Sequence, residues 1–95
     1  MLRTPVSERR LDILEWLKEP SRHFPPQRRG DPVEDGVPAD VIATKLGVRR
    51  QVADTHLVLL AHLGVLRAKR IRRRTYYRRD EMRIAEVARM FDKGW

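Results

Sequence analysis

Apolar residues recur every three or four positions near the start of the chain, which is the spacing of one face of an α-helix. The pattern runs over residues 7–19, with Ser7 suited to cap the helix and Pro20 suited to end it. Its apolar members are Leu11, Ile13, Leu14, Trp16 and Leu17. The stretch therefore predicts an amphipathic helix that packs one face against a core.

Two further helical patterns lie in the middle of the chain, separated by a very short link. Residues 39–46 place apolar side chains on one side and stop at Gly47, which suits the left-handed end of a helix. Residues 50–63 carry a longer stripe and stop at Gly64 in the same way. The apolar positions are Val41, Ile42 and Leu46 in the first pattern, and Ala53, Leu57, Leu60 and Leu63 in the second. Two helices joined through residues 47–49 predict a helix-turn-helix.

Residues that favour β-structure follow Gly64. Residues 65–70 and 74–79 alternate weakly between apolar and polar, which predicts a hairpin of two strands joined through residues 71–73. Asp80 can then cap a last helix over residues 81–93. A stripe along this helix consists of Ile84, Ala88, Phe91 and Trp95. Too little of the domain remains to bury this stripe fully. It either folds back on the core of its own chain or forms the interface of a homodimer, and we favour the homodimer.

Residues 20–38 interrupt these patterns with five prolines and two glycines. A loop of this length is unusual in a small domain. Two interpretations are open: a surface loop without chemistry, or an arm that packs across a partner or touches a ligand.

The 95 residues, 41% of them apolar, suffice for one domain with a modest core. Fold class is therefore predicted as mainly α with a small β-hairpin. The chain has no cysteine and shows no arrangement of residues for catalysis, so we expect no enzyme, no metal site and no cofactor. No apolar run approaches the roughly 20 residues that span a bilayer, and no signal peptide is evident, so we expect a cytoplasmic protein without a membrane partner.

The net charge of +8 is concentrated in one segment of the chain. Lys and Arg number 21 against 13 Asp and Glu, and residues 64–79 hold eight basic residues and no acidic one. Such a local excess of positive charge favours a nucleic acid as the partner.

Four short motifs mark residues 41–81: LGV at 46–48, HL at 56–57, HLGVL at 62–66 and YYR at 76–78. Together with the order of elements, they resemble the winged helix-turn-helix of ArsR-type bacterial transcriptional repressors. The resemblance implies three core helices, a wing and a C-terminal dimerisation helix. The segments are an N-terminal helix within 1–19, a Pro-rich loop at 20–38, the helix-turn-helix at 39–63, the wing at 64–79 and the closing helix at 80–95.

The resemblance places the base-facing positions at Arg50, Gln51, Asp54 and Thr55, with Arg49 at the helix cap and directed to a phosphate. The forked guanidinium of Arg50 suits guanine, and the Gln51 amide suits adenine. Asp54 has three interpretations: it orients Arg50, it accepts a hydrogen bond from cytosine, or it forms a surface ion pair that weakens binding.

The wing residues Arg70, Arg72, Arg73 and Arg74 suit contacts with phosphates or the minor groove, which supply affinity more than specificity. Tyr76 and its neighbour face opposite sides of a strand, so we expect one tyrosine to pack and assign a phosphate contact to Tyr76. His56 is expected to be packed or hydrogen-bonded, since its spacing from His62 does not suit a shared metal ion.

These features predict a sequence-specific regulator that binds double-stranded DNA as a homodimeric repressor on a palindromic operator. The alternative is a winged-helix module for a protein partner or structured RNA, favoured by Asp54 and the long loop. The sequence identifies no small-molecule effector; we expect any effector site near His23, Phe24 and Arg28, or between the first and last helices.

Overall fold

The computed structural model describes residues 8–91, and only the backbone of Phe91. These residues form eight short elements. These are α1 (Glu8–Lys18), α2 (Pro20–His23), β1 (Val37–Pro38), α3 (Ala39–Leu46), α4 (Arg50–His62), β2 (Leu66–Ile71), β3 (Arg74–Arg79) and α5 (Glu81–Phe91). The chain in this range is thus mostly helical with a small sheet. None of the described helices is long and apolar enough to cross a membrane.

The two middle helices lie where the sequence predicts them. α3 has the predicted boundaries, and α4 ends at His62, one residue before the predicted end. Gly47 takes the left-handed conformation, with φ of 71°. The N–H of Val48 then donates to the Ala43 carbonyl at 3.1 Å, which closes the end of α3. Extended backbone at Arg49 starts the next helix, so the turn between α3 and α4 is as tight as predicted.

α1 ends at Lys18, one residue before the predicted end, and Pro20 begins the short helix α2. The predicted cap, Ser7, lies outside the described residues. At the other end of the chain, the side chain of Asp80 accepts a hydrogen bond from the N–H of Arg83 at 3.0 Å. The predicted cap of the last helix is therefore confirmed.

β3 is the central strand of an antiparallel sheet with the order β1-β3-β2. β1 pairs Val37 with Tyr77, and β2 pairs along the whole of β3, so that Arg72 and Arg73 form the turn of the wing. The wing is found as predicted, except that its first strand begins at Leu66, one residue after the predicted start. β1 was not predicted, because two residues that end in proline show no alternation.

The core lies between the helices and one face of the sheet. Its buried members come from every helix but the short α2, and from all three strands: Ile13, Leu14, Leu17, Phe24, Val37, Ala39, Ile42, Ala43, Ala53, Leu57, Leu60, Val65, Leu66, Tyr77 and Ile84. Ile84 is only 4% exposed, so the prediction that it forms a dimer contact is wrong: it packs inside its own protomer. Ala88 is partly exposed, whereas the Phe91 side chain and Trp95 lie outside the described residues.

The segment predicted as one loop over residues 20–38 contains α2 and β1, and the stretch between them is ordered by its own side chains. The Gln27 amide donates to the carbonyls of Arg29, Gly30 and Gly36 at 3.0–3.3 Å. The Asp31 carboxylate accepts hydrogen bonds from the next turn of backbone, at 2.8 and 2.9 Å. The loop therefore has a defined shape.

This loop covers the face of the sheet that the core does not. Tyr76 is 1% exposed and lies beneath the loop backbone at Gly30, where a Cβ atom would sit 3.0 Å from the tyrosine ring. Lys69 of β2 donates a hydrogen bond to Asp35 of the loop. The loop thus serves as a second covering layer, which supports the first of its two interpretations.

Arg79 joins three elements at the end of β3. It is 7% exposed, and its guanidinium donates to the Leu14 carbonyl of α1 at 2.7 Å. The same group forms a fork with the Glu81 carboxylate at 2.7 and 3.0 Å. Although it belongs to the basic run, Arg79 is a structural residue, since a buried charge must be paired.

Gly36→Ala is expected to destabilise the fold far more than Gly47→Ala. A Cβ at Gly36 would lie 2.4 Å from the Tyr77 backbone, with φ of 107°, whereas at Gly47 nothing lies within 4 Å. We expect the free energy of unfolding to fall by about 3 kcal/mol or more for Gly36→Ala, and by about 1 kcal/mol for Gly47→Ala. Urea unfolding followed by tryptophan fluorescence measures both. Equal losses would show that the β1–β3 pairing contributes little.

Candidate nucleic-acid interface

The exposed face of α4 carries the residues predicted to face bases. Arg50, Gln51 and Thr55 are exposed and Asp54 is partly exposed. The opposite face is fixed in the core by Ala53, Leu57 and Leu60. Because residues three and four apart share a helix face, the structure brings the predicted set onto one surface.

Arg50 and Asp54 form a hydrogen-bonded ion pair on this face. The Nε of Arg50 donates to Oδ1 of Asp54 at 2.9 Å, with the two side chains about half exposed. An exposed pair at this spacing stabilises the helix by only about 0.3–0.5 kcal/mol. Its effect is on orientation, because the bond through Nε holds the guanidinium of Arg50 beside Asp54 on the exposed face of α4. Of the three interpretations of Asp54, this contact fits two: an acceptor that orients Arg50, and a surface ion pair.

Arg49 stands at the start of α4 and its side chain does not cap the helix. It is exposed and forms no salt bridge within residues 8–91. The hydroxyl of Thr55 donates to the Gln51 carbonyl one turn earlier, at 3.0 Å. The cation at the helix start is therefore exposed, whereas the proton of Thr55 is already used inside the helix.

His56 is held on the inner side of α4, as predicted. The Nε of Arg10 donates to its Nδ1 at 3.1 Å, so the ring is neutral with its proton on Nε2. Burial lowers the pKa of His56, and the positive charges of Arg10 and Arg9 lower it further. The side chain connects α1 to α4 and is a packed residue.

Four of the eight cations in the wing segment are paired with carboxylates from outside it. Arg67 bonds Asp80 at 2.8 Å, Arg74 bonds Asp40 at 2.9 Å, Lys69 bonds Asp35, and Arg79 bonds Glu81. The positive charge that looks concentrated in the sequence is therefore partly neutralised in the fold. Sequence reasoning could not find two of these contacts, because Asp35 and Asp40 lie 34 residues from their partners.

The pKa values of three of these carboxyl groups and of Arg74 reflect the same contacts. Lys69 lowers the pKa of Asp35, and Arg79 lowers that of Glu81. For Asp80, the N–H of Arg83 lowers the pKa most and Arg67 adds to it. Hydrogen bonding to Asp40 raises the pKa of Arg74. The lowered pKa values keep Asp35, Asp80 and Glu81 charged to a lower pH than a free carboxyl group.

The remaining wing cations make no salt bridge with the described residues: Arg70, Arg72, Arg73 and Arg78. Arg72 and Arg73 form the turn, and Arg70 donates to the Arg72 carbonyl at 3.4 Å. Arg72 has φ of 57°, a left-handed conformation that costs a residue with a side chain about 1–2 kcal/mol. The end of the wing is thus a cluster of exposed arginines held in a strained turn.

The phosphate contact predicted for Tyr76 is wrong. Both tyrosines of β3 are buried, Tyr77 in the core and Tyr76 under the loop, with the Arg74 guanidinium 5.8 Å from the Tyr76 ring centre. The sequence prediction assumed that one face of the hairpin is open to solvent. The unrecognised packing of the loop closes that face.

Within residues 8–91, no three His, Asp or Glu side chains come together as a metal site would require. Beside Phe24, where an effector was expected, there is a cleft of about 330 Å³. Its lining is mostly proline and apolar: Pro20, Ser21, Phe24, Pro25, Pro26, Gln27 and Pro32. Phe24 itself is buried and packs edge-on against Trp16, with ring centres 6.3 Å apart.

No protein-family model matches the chain, and no solved structure matches it. A search of curated proteins finds similarity to YbzH of Bacillus subtilis (strain 168), described as an uncharacterized HTH-type transcriptional regulator. The two are 43% identical over 82 residues, which cover 86% of this chain and 82% of YbzH. The aligned length necessarily includes most of the helix-turn-helix and wing described above. The chain therefore belongs to the helix-turn-helix type of transcriptional regulators.

Proposed function

We propose that the chain is a transcriptional repressor of the ArsR type, which binds a palindromic DNA operator as a homodimer and acts by occupying it. The observation that carries the proposal is the distribution of exposed cations. Arg49 and Arg50 lie at the start of α4, and Arg70, Arg72 and Arg73 lie at the end of the wing. In winged-helix DNA binding, one helix enters the major groove and the basic hairpin contacts the flanking DNA backbone.

The alternative, a module for a protein partner or structured RNA, depends on Asp54 and on the long loop. Asp54, however, bonds Arg50 instead of standing as an isolated repulsive charge. The loop packs on Tyr76 and Lys69 of its own chain, so it needs no partner to cover it. DNA binding therefore accounts for more of the described surface.

The homodimer that we propose uses exposed apolar side chains of α5. Met82 and Met90 are 80% and 72% exposed, which is unusual for large apolar residues on a helix. Ile84 and Val87 face the core of the same protomer. The interface on α5 therefore lies on the side opposite to Ile84.

Arg50→Ala and Arg73→Ala are expected to affect DNA binding in different ways. Arg50→Ala should relax the preference at one base pair, because a bidentate contact to guanine supplies about 1–3 kcal/mol of discrimination. Arg73→Ala should weaken binding to all sequences evenly and reduce the salt dependence by about one phosphate contact. Selection from random duplex DNA, followed by binding measured at several salt concentrations, tests both.

The control is Arg22→Ala, which removes an exposed arginine of α2, outside both α4 and the wing. Equal losses on every sequence from Arg50→Ala would contradict its assignment to base contact. Binding by the unaltered chain without enrichment of any sequence, or with a preference for RNA, would instead favour the alternative module.

Asp40→Asn is expected to strengthen binding to every duplex, by about three- to tenfold at moderate salt. The substitution removes a carboxylate and releases Arg74, which otherwise bonds both of its oxygens at 2.9 and 3.0 Å. The salt dependence should steepen by about one contact. Asp12→Asn makes the same charge change at an exposed site on α1. If the two variants behave alike, Arg74 is not held back by Asp40.

Replacing Met82 and Met90 together by Glu is expected to give a folded monomer that binds each half-site separately and gains no extra affinity from the palindrome. Charge at an apolar interface opposes association, whereas both side chains are too exposed to affect the core. Sedimentation velocity reports the oligomeric state, and Val33→Glu, on the 68% exposed Val33 of the loop, is the control. A persistent dimer would place the interface elsewhere.

A further inference from the structure

The middle of the exposed face of α4 is apolar, in contrast to the polar start of that helix. Val58 is 58% exposed and lies three residues after Thr55 and seven after Gln51. Seven residues are close to two helical turns, so Gln51 and Val58 share one face. The face proposed to read bases therefore continues into an aliphatic side chain.

Thr55 extends this apolar surface, because its hydroxyl is committed elsewhere. The hydroxyl donates to the Gln51 carbonyl at 3.0 Å, so its proton is not free for an acceptor on a base. The group that Thr55 has left for an apolar contact is its methyl. Next to it, the Asp54 carboxylate bonds Arg50. The Thr55 proton and one oxygen of Asp54 are thus already used in hydrogen bonds within α4.

These side chains border a shallow depression of about 600 Å³ on the outer side of α4. The described residues that line it are Asp54, Thr55, Val58, Leu59 and His62. A depression whose surface is mainly apolar, on a helix proposed to enter the major groove, suits an apolar group of a base. Thymine offers one there, since its C5 methyl projects into the major groove.

The spacing along the helix predicts where this contact falls. Val58 lies about 10 Å beyond Gln51 along the helix axis, at 1.5 Å per residue. Stacked base pairs are about 3.4 Å apart, so a helix that follows the groove carries Val58 about three base pairs from the contact of Gln51. The polar and the apolar contacts can then lie in one half-site.

Exposure alone does not carry the argument, since single apolar side chains are common on protein surfaces. Val33, in the loop, is even more exposed at 68%. Position distinguishes the two valines: Val58 continues the row of Arg50, Gln51 and Thr55, whereas Val33 lies on no such face.

We infer that Thr55 and Val58 form an apolar contact for the C5 methyl group of a thymine in the operator. This inference rests on the proposed function and adds a specificity-determining contact to it. The sequence alone predicts a base contact for Thr55 without distinguishing its methyl from its hydroxyl, and gives no reason to include Val58.

The test replaces each thymine of the selected operator, one at a time, by deoxyuridine, which lacks only the methyl group. With the unaltered chain, one thymine in each half-site should be sensitive. Replacing that single thymine should weaken binding about fourfold, the value expected for one buried methyl group. Val58→Ala should bind the thymine operator more weakly, and the same deoxyuridine replacement should then cost less than about twofold. Val33→Ala should behave like the unaltered chain.

Thr55 supplies a second, matched pair of variants. Thr55→Ser keeps the hydroxyl and removes the methyl, so it should reduce the deoxyuridine effect. Thr55→Val keeps a methyl and removes the hydroxyl, so it should preserve that effect. The opposite order would show that Thr55 reads its base through the hydroxyl.

The outcomes separate this inference from the proposed function. If the unaltered chain selects no DNA sequence, the proposed function fails and the methyl contact fails with it. If it selects an operator but no thymine is sensitive to deoxyuridine, or Val58→Ala leaves that sensitivity unchanged, the methyl contact alone is overturned. A Val58→Ala variant that loses dimerisation while keeping the sensitivity would make Val58 a subunit contact.

Discussion

Strand β3 pairs with a neighbouring strand on each edge, and its two tyrosines are buried on opposite faces; the positions of the other elements depend on this. Tyr77 faces the core beneath α4, while Tyr76 faces the loop. At its end, Arg79 connects the strand to the Leu14 carbonyl of α1 and to Glu81 at the start of α5. A shift of one residue would exchange the two faces and break every one of these contacts. The register of a single strand thus sets the position of the wing relative to α4.

Four acidic residues of the chain reduce the positive charge that the wing exposes. Asp35, Asp40, Asp80 and Glu81 bind half of the cations of the wing segment, and leave the arginines at its end exposed. Positive charge attracts every DNA sequence equally, so an excess of it raises background binding on a genome. In the proposed complex, pairing part of that charge lowers the background and leaves the start of α4 unaltered. The balance between background binding and base contacts, more than the net charge of +8, determines how selective such a protein is.

Local patterns in the sequence were enough to place the helices of the helix-turn-helix, the hairpin and the cap at Asp80, since each depends on residues within one or two turns. The contact of Asp54 with Arg50 was within reach for the same reason. What escaped prediction depends on distant neighbours. Nothing near Tyr76 in the chain indicates that a loop some 45 residues earlier covers it, and nothing near Ile84 shows that the core has room for it. Long-range packing determines the burial of those two side chains.

The left-handed conformation of Arg72 records a compromise between folding and binding. Glycine or asparagine would adopt this backbone at lower cost and would make the hairpin turn more stable. Selection for stability alone would therefore remove the arginine. In the proposed DNA complex the charge of Arg72 offsets this cost, so that the folded domain is less stable than its topology allows. Replacing Arg72 by glycine would then exchange proposed DNA affinity for stability.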